Sequence, residues 1–239
     1  MTSLNTPILG TPKHAWQFYD LHLTSSYVLD EYFLTSQYVD CVRASELRQS
    51  EVGQWARDMR VEGYHKIFTH SFVGMWAAYE AGIENTLVAI IKNSNSAAAG
   101  AFPRLKKNKH SLSDWPWTDE ICTKIVSNLE SSARDSTANG KFDLYATHCT
   151  LFGWLGVHLD NAFSLAPDLA EAKLLRNIIM HRYGVIGDSD SKKVPRFATW
   201  RNQVMPLDRE TFDRYYLAVS GAISAVVLAM PTGGLIANS

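Results

Sequence analysis

"FTHSFVGMWAAYEAGIENTLVAII", residues 68 to 91, sets Phe68, Phe72, Met75, Trp76, Tyr79, Ile83, Leu87, Ile90 and Ile91 at intervals of three and four. At about 100° per residue these side chains make one apolar stripe over some six turns, long enough to be the spine of a helical bundle. The stripe extends backwards, so a single helical region is predicted from about 50 to 93. A strand would need alternation at a period of two, and such alternation is nearly absent from the whole chain, as are hairpin dipeptides. The expected fold class is therefore all-α.

Working outward, a first helical region is predicted over about 16 to 43, with Trp16, Tyr19, Leu23, Tyr27, Phe33 and Tyr38 as its apolar bulk. Residues 1 to 13, with Pro7, Gly10 and Pro12, read as a flexible lead-in, and 14 to 239 as a single helical domain. After the spine, Gly100, Pro103 and Pro116 mark 94 to 117 as an extended connection. Thr118 is placed to cap the next helix, with Asp119 and Glu120 in its first turn and Ile121, Ile125, Val126 and Leu129 facing inward. A further helix spans "FDLYATHCTLFGWLGVHL", residues 142 to 159, with Phe142, Tyr145, Cys149 or Leu151, and Leu155 on its buried side. Another runs from about 167 to 182, with Pro167 in its first turn and Gly184 beyond its end. Residues 188 to 207 read as irregular, and Asp208 caps a last helix with Phe212, Tyr216, Val219, Ile223, Val226 and Met230 in register.

The composition narrows the function classes. With 239 residues and 46% hydrophobic content the chain can bury a large core, and a formal charge of −1 supplies no global field toward a polyanion or a membrane. Cys41, Cys122 and Cys149 are too few and too scattered for a disulfide framework or a metal site. The start of the chain lacks the basic segment and apolar run of a secretory signal, and "YYLAVSGAISAVVLAM", residues 215 to 230, is interrupted by Ser220, Gly221 and Ser224. The expectation is a cytoplasmic protein with no membrane span, no metal and no cofactor.

One helix carries unexpected polar groups. In "LLRNIIMHRYG", residues 174 to 184, Leu174, Leu175, Ile178 and Ile179 hold the core side, while Arg176, Asn177 and His181 share a broad second face. Arg176 and His181 lie about 140° apart, with Asn177 and Met180 between them. A guanidinium stays charged and matches phosphate oxygens; an imidazole gains and loses a proton near neutral pH. The pair suits phosphodiester cleavage in RNA, where the 2′-hydroxyl is an internal nucleophile needing only a base and a cation on the developing charge. The plainer alternative is that both cations only complement the negative end of the helix dipole.

The stretch resembles the HEPN superfamily (higher eukaryotes and prokaryotes nucleotide-binding), whose ribonuclease members carry Arg, a polar residue, further variable residues and then His on a penultimate long helix. Arg176, Asn177 and His181 match that motif; "LFGWLGVHL", "HRYGVIGD" and "PLDRETFDRYYLAVSGAISAVV" are similar in style to its flanking segments. The resemblance covers about residues 60 to 230. It implies a HEPN-like helical bundle with an extra N-terminal helical region, and a metal-independent endoribonuclease with Arg176 and His181 catalytic and Asn177 supporting. It also implies a homodimer with a composite active site and a toxin or anti-phage defence role, with an antitoxin or sensor partner. Arg182, Tyr183, Lys192, Lys193 and Arg196 are candidate RNA contacts, as is the basic run Arg104, Lys106, Lys107 and Lys109. The alternatives are a non-catalytic HEPN-like module that binds nucleotide or protein, and a plain helical scaffold.

Overall fold

The computed structural model of the chain describes residues 15–105, 110–137 and 143–230, and of residues 15–20 and 22 the backbone alone. The expectations for residues 1 to 13, for Phe142, for Lys106, Lys107 and Lys109, and for the side chains of Trp16 and Tyr19 lie outside the described residues.

The described chain is all-α. In order come α1 (Ala15–Ser45), α2 (Glu51–Val61), α3 (His65–Asn93), α4 (Asn95–Ala101), α5 (Asp119–Ser136), α6 (Leu144–Trp154), α7 (Ala166–Arg182), α8 (Asp188–Lys193) and α9 (Arg209–Ala229). Short 3-10 turns occupy Phe102–Arg104, Leu112–Asp114 and Pro195–Trp200. No strand occurs among the described residues; Val185 with Val204 and Ile186 with Arg201 form two isolated bridges.

Several boundaries differ from expectation. The helix expected over 142 to 159 is α6 alone and stops at Trp154, with Gly156 beyond it at φ 81°. The region from 50 to 93 is two helices, because Gly63 and Tyr64 both take left-handed backbone angles, φ 72° and 58°, and Tyr64 N–H closes back on the Met59 carbonyl at 2.9 Å. Two successive left-handed positions cannot continue a right-handed helix, and glycine makes the first of them inexpensive. Residues 95 to 101 are helical rather than extended: the Ser94 hydroxyl caps α4 by accepting from Ala97 N–H at 3.2 Å, and Ala97, Ala98 and Ala101 are buried. Residues 188 to 200, read as irregular, hold α8 and a 3-10 turn. The expected caps are present: Thr118 accepts from Ile121 N–H at 3.4 Å, and Asp208 from Thr211 N–H at 2.8 Å.

Contacts group the chain into two compact units. The first takes the described parts of Met1–Ser25, Glu80–Phe163 and Ala222–Ser239. Its core contains Leu87, Ile90 and Ile91 of α3, Cys122, Ile125, Val126 and Leu129 of α5, and Leu151 and Phe152 of α6. Ile121 is only half-buried, so Cys122 takes the inward place in the first turn of α5. Two glycines allow backbone approach here. A Cβ on Gly82 would lie 1.9 Å from Thr24 Oγ1, and one on Gly100 would lie 2.5 Å from the Trp154 carbonyl.

The second unit takes Ser26–Tyr79 and Ser164–Gly221. Its centre is aromatic: Phe72 of α3 packs on Trp76 and on Tyr215 of α9, Phe68 on Phe212, and Tyr32 of α1 stacks on Tyr216 with centroids 4.0 Å apart. Burial of such rings, with their edge-to-face and stacked contacts, is the main stabilising term available to this unit. In α1 the buried residues of this unit are Val28, Thr35, Val39 and Val42; Tyr27, Phe33 and Tyr38, expected to pack inward, are exposed.

Among the described residues one helix, α9, passes the length and hydropathy test for crossing a membrane, with a mean hydropathy of 1.2. Its first two turns nonetheless hold Arg209, Glu210, Asp213 and Arg214, and Phe212, Tyr215, Ala218, Val219, Ala222, Ile223 and Val226 are buried against the protein. That is the pattern of a core helix in a folded unit.

Candidate functional site

α7 presents the motif. Leu169, Ala170, Ala172, Leu175 and Ile178 are buried, Arg176 and Asn177 half-buried, and Met180 and His181 exposed. The helix is thus sunk in the second unit along one side and surfaces at its C-terminal end. Arg176 Nη1 donates to Asn177 Oδ1 at 3.0 Å. Asn177 precedes His181 by four residues and lies only about 40° from it around the helix. The bond therefore ties Arg176 to the residue that lies between it and His181 around the helix.

The end of α7 is held firmly. Tyr183 adopts φ 54°, and its N–H, with that of Gly184 at 3.2 Å, reaches the Ile178 carbonyl. Gly184 follows at φ 85°. Beyond this turn, Ile186 N–H donates to Gln203 O at 3.0 Å and Met205 N–H to Gly184 O at 3.2 Å, so the segment after the helix is pinned to residues 201–205. Tyr183 is 91% exposed. A bulky residue held left-handed, where glycine or asparagine is preferred, and left in solvent is an energetic oddity.

The candidate RNA contacts divide. Arg182 Nη2 donates to Asp190 Oδ2 at 2.6 Å, and the same oxygen accepts from Gly187 N–H at 2.9 Å. Asp190 is buried, and a Cβ on Gly187 would stand 2.8 Å from Arg182 Nη1 and 3.1 Å from Asp190 Oδ2, so a larger residue there would crowd the pair. Lys192 and Lys193, exposed on α8, are thereby fixed within a turn of Asp190 and close to the end of α7. Arg196 is exposed but aimed at acids, 3.6 Å from Asp168 and 4.0 Å from Glu171. Arg201 is engaged by Asp188, and Arg104 lies over the Trp154 ring.

A second polar cluster, which the sequence reading missed, sits at the start of α7. Arg214 donates to Asp168 at 2.6 Å and to Glu171 at 2.7 Å, and Tyr215 OH donates to the same Glu171 oxygen at 2.9 Å. Burial works against the Arg214 charge, but its bonds to Glu171 and Asp168 outweigh that and its pKa is raised; burial pushes the Tyr215 phenol well above its ordinary value. The available signal was the Asp-x-x-Glu spacing in the first turn of α7. Tyr215, rather than the expected Tyr216, is the fully buried ring. This network is fully paired and anchors α7 to α9.

Among the described residues no three His, Cys, Asp or Glu side chains are grouped as metal ligands. His148 is buried in α6, and burial pushes the neighbouring Cys149 thiol up to about 11, an unreactive thiol rather than a nucleophile. Compared with protein-family models, curated proteins and solved structures, the chain matches none.

Proposed function

We propose that the chain is a HEPN-type, metal-independent endoribonuclease whose working groups are Arg176, His181 and Asn177. The observation that supports the reading is the hydrogen bond from Arg176 to Asn177 on the same helix as the exposed His181, with Asn177 between the two around the helix. His181 takes the proton of the RNA 2′-hydroxyl as that oxygen bonds to phosphorus. Arg176 faces the negative charge that grows on the phosphoryl oxygens. The bond from phosphorus to the 5′-oxygen breaks, and that oxygen receives a proton from the partner subunit's His181, arriving as imidazolium. The products are a 2′,3′-cyclic phosphate and a 5′-hydroxyl. Two copies of α7 meeting across a two-fold axis supply one base and one acid to a single cleft. A cytoplasmic toxin or anti-phage effector held in check by an antitoxin or sensor is the setting that the HEPN resemblance implies.

The test is cleavage of structured and unstructured RNA in excess chelator. The parent cuts, leaving ends that resist phosphatase until the cyclic phosphate is opened. Arg176→Ala and His181→Ala each slow cutting by about 10² to 10⁴. Cutting that survives both substitutions, or that chelation abolishes, overturns the reading.

The alternative, a HEPN-like module that binds nucleotide or protein without turnover, is favoured by charge: the chain is at −1 overall, and Asp190 and Asp188 already occupy Arg182 and Arg201. It predicts RNA or nucleotide retained intact.

A further inference from the structure

The end of α7 sets one large ring in solvent beside His181. Tyr183 is two residues further along the chain, so the two Cα atoms are no more than about 7 Å apart. The ring is 91% exposed. Its residue is nevertheless held left-handed, at φ 54°, by the hydrogen bonds that its own N–H and that of Gly184 make to the Ile178 carbonyl. Glycine at 183 would close the same turn at lower cost, and a ring so exposed gains almost no burial to offset the strain. Folding alone therefore does not account for a tyrosine here, and an unexplained backbone outlier beside candidate working groups points to a use in binding.

A second observation is independent of the ring. Residues 181 to 205 carry Arg182, Lys192, Lys193, Arg196 and Arg201 against Asp188 and Asp190, a local charge of +3 in a chain whose total is −1. The two aspartates engage Arg201 and Arg182, and Arg196 faces the acids at the start of α7. Lys192 and Lys193 remain exposed on α8. Asp190 ties α8 to the last turn of α7, so both lysines keep a fixed place relative to the ring. A free phosphate would have no use for the ring, and an apolar protein surface none for the lysines. A nucleic-acid strand uses both: cations track its phosphates and an aromatic face takes a base.

We propose that Tyr183 is the stacking platform for one unpaired nucleobase next to the phosphate that faces His181, with Lys192 and Lys193 on the neighbouring phosphates. The proposal deepens the ribonuclease reading and rests on it for the identity of the polyanion. A base can lie on the ring only outside a helix, because within an A-form duplex both of its faces are covered by neighbouring bases. The site therefore selects an unpaired nucleotide at this position. It also favours a purine, whose larger ring system overlaps more of the phenol. Stacking of this kind changes affinity by about 5- to 150-fold when the aromatic side chain is removed.

The test is binding, separated from turnover by working in a His181→Ala chain. Labelled RNA octamers of adenylate, of uridylate and of abasic ribose phosphate, and a duplex of the same length, are titrated by fluorescence anisotropy. Oligoadenylate is expected to bind more tightly than oligouridylate, and the abasic strand most weakly. Tyr183→Leu keeps apolar bulk at the same left-handed position and weakens oligoadenylate at least fivefold; Tyr183→Phe keeps the ring and stays within about twofold. Duplex binding is the same in all three chains. Lys192→Ala lowers the slope of log affinity against log salt by about 0.7, which Tyr183→Leu leaves unchanged. An abasic strand that binds as well as oligoadenylate overturns the proposal, as does Tyr183→Leu binding like Tyr183→Phe, or no RNA bound by any chain. Cleavage by the chain that retains His181 is scored separately. RNA stacked on Tyr183 but never cut counts against the ribonuclease reading alone, and RNA cut by a chain whose affinity ignores Tyr183→Leu counts against the platform alone.

Discussion

Asp190 Oδ2 accepts both the Arg182 guanidinium at 2.6 Å and the Gly187 N–H at 2.9 Å, and so ties the first turn of α8 to the last turn of α7. The aspartate is 4% exposed while Arg182 is 43% exposed, so the pair is half in solvent and its strength is discounted accordingly. Asp190→Ala frees one cation and one backbone donor, and is expected to lower the unfolding free energy by about 1–3 kcal/mol in urea titrations. It should also blur the placement of His181. A change below ~0.5 kcal/mol, the range of an ordinary surface substitution, would mean that the bridges to residues 201–205 hold the helix end without it.

Tyr183 offers the opposite sign. At φ 54° and 91% exposed it has backbone strain and no packing to lose. Tyr183→Gly is therefore expected to raise stability by about 0.5–1 kcal/mol, seen as an upward shift in Tm. If the ring stacks on a base, the same change weakens RNA binding while it stabilises the fold. Gly184→Ala behaves differently: at φ 85°, with a new Cβ 3.3 Å from Val204, it destabilises. A Tyr183→Gly protein less stable than the parent would show that the ring makes a contact the strain argument omits.

These two residues also mark where sequence reasoning stopped. The stripe from Phe68 to Ile91 and the Arg176–His181 spacing are local patterns, legible because helical geometry alone decides which side chains share a face. The break at Gly63 and Tyr64 was hidden because Met59, Tyr64, Ile67 and Phe68 continue apolar through it. The Ala97–Ala101 helix was masked by Gly100 and Pro103, although Ser94 was a cap in plain view. Asp190 could not be assigned to Arg182, since its role needs a turn between two helices that only the folded chain defines. Aromatic bulk misled most in α1, where Val28, Thr35, Val39 and Val42 take the core and the larger Tyr27, Phe33 and Tyr38 face out.

Thiol chemistry separates the three cysteines. Cys41 is exposed, whereas burial, and then the negative charge of Asp143, push the Cys149 thiol up to about 11. Against an ordinary value of 9.0, that leaves about 100-fold less thiolate at pH 8. A maleimide or disulfide reagent is expected to take Cys41 first, with Cys149 and buried Cys122 reacting at least tenfold more slowly until the chain unfolds. The native state holds the Cys149 proton more tightly than the unfolded chain does. Its contribution to stability is therefore whole below about pH 9 and is lost as pH rises through about 11. Equal labelling rates at pH 8, read by peptide mass, would contradict this ordering.

At Gly82 the backbone of α3 lies against the Thr24 side chain: a Cβ there would fall 1.9 Å from Thr24 Oγ1 and 2.4 Å from Thr24 Cγ2. Thr24 is buried and carries a β-branched side chain, which has little rotamer freedom in a helix. Gly82→Ala on propensity alone would stabilise α3 by about 1 kcal/mol. The overlap opposes that and is larger, since forcing a methyl into a packed helix contact costs about 1–3 kcal/mol and more when backbone must shift. The net expectation is destabilisation by about 1–3 kcal/mol in thermal or urea unfolding. Adding Thr24→Gly to Gly82→Ala removes the colliding atoms, and the two changes together should cost less than their sum. Strict additivity in that double-mutant cycle would place the strain somewhere other than the Thr24–Gly82 crossing, and with it the reason α3 has a glycine in the middle of its apolar stripe.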